Sequence, residues 1–235
     1  MRICSINVRA GSKGVPGKNL RPVLGIPLFG HSVRQAVATG LFEEVVVSSD
    51  SEEILRLAPE FGATGVVVRP PELATDTAGK VPAIAHSVLE TERRTGKQFA
   101  VCVDLDATSP LRFLSDIHEA VRMFESSDAE SLITGSEARR NPYFNLVEEQ
   151  PDGTVAVSKK PAFDVLRRQD APRSFDMNGS IYVWRRESLV EQQVVFFPST
   201  ILYEMPAERS IDVDSELDFR MVTWLMEERE GSGPH

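Results

Sequence analysis

The chain is poor in cysteine: Cys4 and Cys102 are the only two in 235 residues, and no CxxC pair exists. Both lie inside apolar runs that read as buried strands, so they are expected to be inert core thiols rather than a disulfide or a metal pair. Basic charge is also short. Lys and Arg number 26 against 35 Asp and Glu, a formal net charge of −9, with no basic block or stripe. A nucleic-acid partner needs a basic footprint for its phosphates, which excludes that class. No apolar run approaches membrane-spanning length, and the apolar start is too short for a secretory signal and meets Arg9 at once. The expectation is a soluble cytoplasmic protein without a nucleic-acid or membrane partner. Two phosphate fingerprints are missing too. GxxxxGK(S/T) fails because Asn19 follows Gly17-Lys18, and GxGxxG does not occur. Internal repeats and low-complexity segments are absent.

What is present begins at the N-terminus. An apolar run, Ile3 to Val8, breaks into Arg9-Ala10-Gly11-Ser12-Lys13-Gly14-Val15-Pro16-Gly17-Lys18-Asn19. Three glycines let the backbone approach a ligand closely, and Arg9, Lys13 and Lys18 put three cations in one loop. A buried strand feeding such a loop suits a polyphosphate, with backbone N–H groups as the cradle and the cations as neutralisers. The alternative is a basic surface turn.

Hydrophobic content of 41% and this length fit one large α/β domain, or a main domain with a small inserted one. A helix is expected from near Leu28 to about Thr39, ending at Gly40. Val45 to Asp50 reads as a buried strand. Ser51 should cap the next helix, with Glu52 and Glu53 in its first turn. Gly65 to Val68 is a third strand, Pro82 to Arg94 a helix, and Phe99 to Asp106 the central strand. Ser115 to about Phe124 is a helix and Ser131 to Thr134 a strand. This alternation predicts a mostly parallel sheet flanked by helices, whose ligands sit at the carboxyl ends of the strands. The loop, Asp50 and Arg69 fall at such ends. From Asn141 to Val155 the pattern turns β-rich, with Asp152-Gly153 as a hairpin signal.

Other residues admit two readings each. Asp104 and Asp106 close the central strand and would hold a metal or sugar hydroxyls, or simply cap the strand end. Arg167 and Arg168 offer planar forks to a carboxylate or phosphate, or form a solvated face with Lys159 and Lys160 nearby. Asn178-Gly179 is a common tight turn leading into an apolar strand. Asp212 and Asp214 are two apart, so on a strand both carboxylates face one cation; Mg²⁺ needs only one or two. Otherwise Asp214 or Ser215 caps the last helix. His86 receives no role. The tail 231–235 is expected to fray.

Several of these strings, in this order, resemble the CMP-sialic acid synthetase (acylneuraminate cytidylyltransferase) family: the loop from Arg9 to Asn19, Arg69-Pro70-Pro71-Glu72-Leu73-Ala74, Thr108-Ser109-Pro110-Leu111-Arg112, Arg167-Arg168-Gln169-Asp170-Ala171-Pro172, Asn178-Gly179, and Ile211-Asp212-Val213-Asp214. The resemblance covers essentially the whole chain. It departs from the family in two places. Asn7-Val8 replaces a Pro before the loop, and Asp106-Ala107 stands where the family has Gln-Pro. With Gly79-Lys80-Val81-Pro82 following Asp76-Thr77-Ala78, these departures tilt the resemblance towards the legionaminic branch.

The resemblance implies a Rossmann-like, mixed and mostly parallel sheet of the nucleotide-diphospho-sugar transferase type over residues 1–138 and 176–230. It implies a small β-rich dimerisation element over 139–175 that projects over a partner's active site. The implied reaction joins CTP to a nine-carbon 2-keto sugar acid, giving CMP-sugar and pyrophosphate, with Mg²⁺ or Mn²⁺. Ala10, Gly11 and Asn19 belong to the implied nucleotide loop, with Arg9, Ser12, Lys13 and Lys18 on the β- and γ-phosphates. Arg69 reads cytosine, and Asp212 and Asp214 hold the metal. Asp106, Thr108, Arg168, Gln169 and Asn178 face the sugar acid. The catalytic set is Arg9, Lys18 and Asp212. The alternatives are transfer to the eight-carbon acid KDO, a non-catalytic CTP sensor and a metal-dependent glycosyltransferase.

Overall fold

The structure is a computed structural model, describing residues 1–11, 14–75, 77–160 and 167–231. Strand β1 (Arg2–Asn7) is followed by the loop, then by a two-stranded hairpin, β2 (Pro22–Val23) and β3 (Ile26–Pro27), and by helix α1 (Leu28–Thr39). Then come β4 (Glu44–Ser49), α2 (Glu52–Leu57), β5 (Gly65–Val68), α3 (Lys80–Thr95), β6 (Val101–Leu105), α4 (Leu114–Glu125) and β7 (Ser131–Glu137). The chain continues through β8 (Val147–Glu149), β9 (Val155–Val157), β10 (Phe175–Arg185), α5 (Arg186–Gln192), β11 (Ile201–Glu204) and α6 (Glu216–Gly231).

Seven strands form one sheet in the order β11-β7-β10-β6-β1-β4-β5. β1 runs parallel to β4 and β6, β4 parallel to β5, and β11 parallel to β7; β10 alone is antiparallel to both its neighbours. This is the mixed, mostly parallel sheet expected. Every residue of β4 and β6 is buried, which is why those strands read as unbroken apolar runs rather than alternating ones. On one face, Cys4, Ile6, Val45 and Val47 meet Phe29 and Val33 of α1, Ile54 of α2, and Ile117, Val121 and Phe124 of α4. On the other, Ile3, Val46 and Cys102 meet Ile84 and Val88 of α3 and Leu189 of α5. Cys4 and Cys102 are free and buried, and burial raises both thiols, Cys102 to about 12.

A third apolar cluster, Val15, Val23, Leu28, Leu111, Val213, Phe219 and Val222, joins the loop, the β2–β3 hairpin and α6. It lies under the carboxyl end of the sheet and fixes the geometry of the site. β8 and β9 form the expected antiparallel hairpin, between β7 and β10 in the chain. Two expectations need correction. Asp212 and Asp214 are not on a strand: the segment is extended but unpaired with the sheet. Val213 donates its N–H to Thr108 O and buries its side chain, so the alternation survives without a ladder. Asn178-Gly179 is not a turn between elements. It lies inside β10, where the register with β7 shifts between Met177 and Tyr182 and Gly179 takes φ +63°. No helix among the described residues is long and apolar enough to cross a membrane.

Candidate active site

The cleft opens where β1, β4, β5 and β6 end. Asn7 closes β1 and is the hub: its Nδ2 donates to Asp104 Oδ1 at 2.8 Å and Ser5 Oγ at 3.1 Å, and its Oδ1 accepts from Arg69 Nη2 at 3.1 Å. A hollow of about 280 Å³ is lined by Asn7, Arg9, Lys18, Asp106, Asp212 and Asp214, among others. A second, of about 240 Å³, shares Asn7, Arg9 and Asp106 and adds Arg69, Thr75 and Lys80. The two are halves of one groove hinged on Asn7 and Asp106.

The loop binds to both sides of this groove. The Ala10 N–H is taken by Asp50 Oδ1 at 2.8 Å, and Arg9 Nη1 donates to Thr75 O at 3.3 Å. Asn19 Nδ2 donates to Arg9 O at 3.1 Å, while its buried Oδ1 has no partner among the described residues. Gly14 explains itself by proximity: a Cβ there would lie 2.1 Å from the backbone oxygen of Asp214. Gly11 lines the first hollow, and Ser12 and Lys13 lie outside the described residues. Lys18 is buried. Its ammonium donates to Val213 O and reaches Asp214 Oδ1 at 3.3 Å, two contacts for a group with three donors.

Asp212 and Asp214 stand together at the groove. Burial and the neighbouring Asp214 carboxylate push the Asp212 carboxyl up to about 6. Helix capping is carried elsewhere: Ser215 Oγ accepts from Asp218 N at 3.2 Å and Asp218 Oδ2 accepts from Ser215 N at 2.7 Å, a reciprocal box that leaves the Asp214 side chain to the groove. Two crowded carboxylates, one half-exposed and one exposed, are a donor set that fits a hard divalent cation completed by phosphate and water.

Arg69 is 7% exposed, its Nη2 donates to Asn7 Oδ1 and Ser48 O, and its Nε is buried without a partner among the described residues. Burial lowers its pKa, opposed by Asp104 and Asp50. Asp106 is pinned: Oδ1 accepts from Thr108 N and Oγ1, each at 2.9 Å, and Oδ2 accepts from Lys80 at 2.8 Å. Burial alone would raise Asp106, but Lys80 and Thr108 outweigh it and hold the carboxyl well below the usual range.

Two groups are not brought to this groove within one chain. Arg168 and Gln169 line a separate hollow of about 340 Å³ with Glu137, Asn141 and Arg173; Arg168 Nη2 donates to Ala138 O at 2.6 Å. Asn178 is committed internally. Its Oδ1 accepts from Thr134 Oγ1 at 2.6 Å and Ser180 N at 3.1 Å, and its Nδ2 donates to Ser210 Oγ at 2.9 Å. These bonds bridge the β10 bulge to the segment before Asp212. Three residues escaped the sequence reading as site members: Asn7, Lys80 and Arg112. Asn7 carried a signal, since it ends a buried strand. Fully buried Arg112 clamps Ser180 Oγ, Ser32 Oγ and Asp106 O, contacts that no local pattern announces.

Residues 3–219 match the family Cytidylyltransferase. The chain belongs to the cytidylyltransferase family. It is 42% identical to "Post-translational flagellin modification protein B" of Campylobacter coli, over 97% of this chain and 95% of that protein. It is 41% identical to "CMP-N,N'-diacetyllegionaminic acid synthase" of Campylobacter jejuni, over 95% of this chain and 94% of that protein. Identity to "N-acylneuraminate cytidylyltransferase" of Streptococcus agalactiae is 33%, over 92% of this chain but 51% of that longer protein. A solved CMP:2-keto-3-deoxy-manno-octonic acid synthetase complexed with CTP superposes with a TM-score of 0.71 at 16% identity, covering 97% of this chain and 99% of that one, which shows the shared fold.

Proposed function

We propose that this cytidylyltransferase joins CTP to a nine-carbon 2-keto sugar acid, of the legionaminic or sialic type, releasing pyrophosphate. The observation that carries the reading is the groove itself: the cationic loop, Arg69 and a carboxylate pair line two adjoining hollows at the strand ends. The sugar's anomeric hydroxyl attacks the α-phosphorus, forming the new O–P bond as the bond to the bridging oxygen of pyrophosphate breaks, and the hydroxyl proton passes to solvent. Arg9 and Lys18 hold the β- and γ-phosphates and neutralise the charge that builds on the leaving group. Arg69, on the wall of the second hollow, meets the base. Asp212 and Asp214 would hold Mg²⁺ or Mn²⁺, which supplies charge neutralisation and lowers the pKa of the attacking hydroxyl. The chain's own contribution is otherwise positioning, set by Asn7, Asp106 and Arg112.

Identity favours the legionaminic type, because the relative named for it matches more closely over nearly its whole length than the one named for acylneuraminate. Asp106 with Lys80, in place of the expected Gln, favours the same choice. The protein is taken as a cytoplasmic homodimer, with the insertion reaching a partner's groove; exposed Phe144, Leu146, Val147 and Val155 on that insertion support this. The test is pyrophosphate release from CTP and Mg²⁺ with N-acetylneuraminate, diacetyllegionaminate, pseudaminate, the deaminated nine-carbon acid and KDO. Release with a nine-carbon acid supports the reading and names the acceptor. Release with KDO alone moves it to the eight-carbon class, and CTP binding without release points to a sensor. Near-normal turnover of Asp212→Ala/Asp214→Ala in Mg²⁺ would refute the metal assignment.

A further inference from the structure

Four aspartates border the groove, in two pairs. Among the described residues, Lys18 is the cation that meets the pair Asp212 and Asp214, and it reaches Asp214 but not Asp212. The other pair is different. Lys80, the first residue of α3, places its ammonium 3.0 Å from Asp104 Oδ2 and 2.8 Å from Asp106 Oδ2, and 4.3 Å from the centre of the Tyr182 ring. The contact with Asp104 is an ion pair without hydrogen-bond geometry.

The surroundings fix both carboxylates to this point. Asp104 is fully buried, and its other oxygen accepts from Asn7 Nδ2 at 2.8 Å and Ser5 Oγ at 3.0 Å. The other oxygen of Asp106 accepts from Thr108 N and Oγ1. Tyr182 lies flat on Trp184, with ring centres 5.4 Å apart and planes 7° apart, so the aromatic wall cannot turn away. A fully buried carboxylate and a partly buried one aimed at one spot are stabilised by a cation between them. The side chain supplies it, with further attraction from the ring face.

We propose that Lys80 is a resident cation. It occupies the place a metal would take between Asp104 and Asp106, so the groove loads a single divalent ion, at Asp212 and Asp214. This deepens the reading above and rests on it for the location of that ion. Removing the ammonium leaves two oriented, hydrogen-bonded carboxylates with no counter-charge, a donor set for Mg²⁺ or Mn²⁺.

Mn²⁺ binding to the full chain, counted without CTP from the electron paramagnetic resonance signal of free Mn²⁺, tests this. Wild type and Lys80→Arg should bind one ion per chain. Lys80→Gln should bind two, and Lys80→Gln/Asp106→Asn one again. A count for folded Lys80→Gln equal to that of wild type overturns the proposal, as does a second ion that survives Asp106→Asn. Should Lys80→Gln fail to fold, Asp106→Asn in the otherwise native chain decides. Loss of a metal ligand or its orienting partner costs about 10–100-fold in affinity. A fall of that size would make Asp106 a ligand and refute the proposal; unchanged Mn²⁺ affinity supports it. Asp212→Asn/Asp214→Asn isolates the underlying reading. If it keeps the wild-type ion, the location of the metal is wrong, whereas the Lys80 proposal stands or falls on the gain in Lys80→Gln.

Discussion

Gly14→Ala tests how the loop and the carboxylate segment are held together. A Cβ at position 14 would sit 2.1 Å from the backbone oxygen of Asp214, where 3.4 Å is an ordinary contact, so the two backbones must part by about 1.3 Å. Neither side yields cheaply. Val15 and Val213, the neighbours of the two colliding residues, are both fully buried in the same apolar cluster. Overpacking of this kind costs about 1–3 kcal/mol, and about 2 kcal/mol lowers the melting midpoint of a chain this size by roughly 4–8 °C. The functional loss should be larger than the stability loss suggests. Lys18 follows in the same loop, and Asp212 and Asp214 lie on the displaced segment, so cations and carboxylates separate together. A misplacement of about 1 Å near reacting groups costs roughly 100-fold in rate. Pyrophosphate release at saturating CTP and acceptor, with the melting midpoint taken in parallel, reads both. Turnover within about twofold of wild type with an unchanged midpoint would show that the close approach carries neither stability nor catalysis, and would refute the argument.

Arg69→Ala removes a buried guanidinium whose charged hydrogen bonds are worth about 1.5–3 kcal/mol; the KM for CTP should rise by roughly 10–100-fold, and an unchanged KM would remove Arg69 from the nucleotide. Asp116→Ala strips the partner of Arg209, which meets Asp116 through Nη2 at 2.8 Å and Nε at 2.9 Å. Breaking a buried pair costs about 3–5 kcal/mol, so calorimetry should show the midpoint falling by roughly 6–20 °C; a fall of less than about 2 °C would contradict this. Glu44 carries a pH dependence. Burial raises its carboxyl, but Lys97 at 2.6 Å and the Thr64 hydroxyl outweigh burial and leave it below its ordinary value. A depressed carboxylate stabilises the fold above its unfolded pKa, and that contribution is lost as pH falls through the folded value. Urea unfolding should therefore show Glu44→Gln costing more at neutral pH than below about pH 4, and a pH-independent difference would refute the assignment.

The halves of the fold differ in how plainly the sequence displays them. β1, β4 and β6 are buried on both faces, so each must be a nearly unbroken apolar run, and each helix between them needs one apolar stripe; both patterns are readable. Ser51 announces α2 because a helix start needs an acceptor for its free N–H groups, and its Oγ takes Ile54 N at 3.3 Å. β11 is four residues, none fully buried, and gives no such run. The reversed direction of β10 is equally silent, because strand direction follows from how α5 and the inserted hairpin return the chain. Asn178-Gly179 looked like a turn because left-handed glycine serves turns and bulges alike, and only the pairing with β7 tells them apart.

In the site, what was legible is what the backbone itself positions. The cationic loop follows a buried strand, and strand ends are where a parallel sheet leaves its ligands room. Asp212 and Asp214 were picked out by a spacing of two, and both line the groove although no ladder forms. Burying Val213 in the cluster under the loop is enough to turn its neighbours outward, so an apolar anchor does what a strand would have done. Lys80 is the opposite case. A lysine opening a helix is ordinarily solvated, and nothing local distinguishes this one. Its meaning comes from β6 supplying two carboxylates and β10 an aromatic ring from 24 or more residues away in the chain. The groove is thus divided: its cationic loop and the Asp212–Asp214 pair are written in short strings, whereas the ion pairing of Asp104 and Asp106 with Lys80 arises only when three separate elements are packed together.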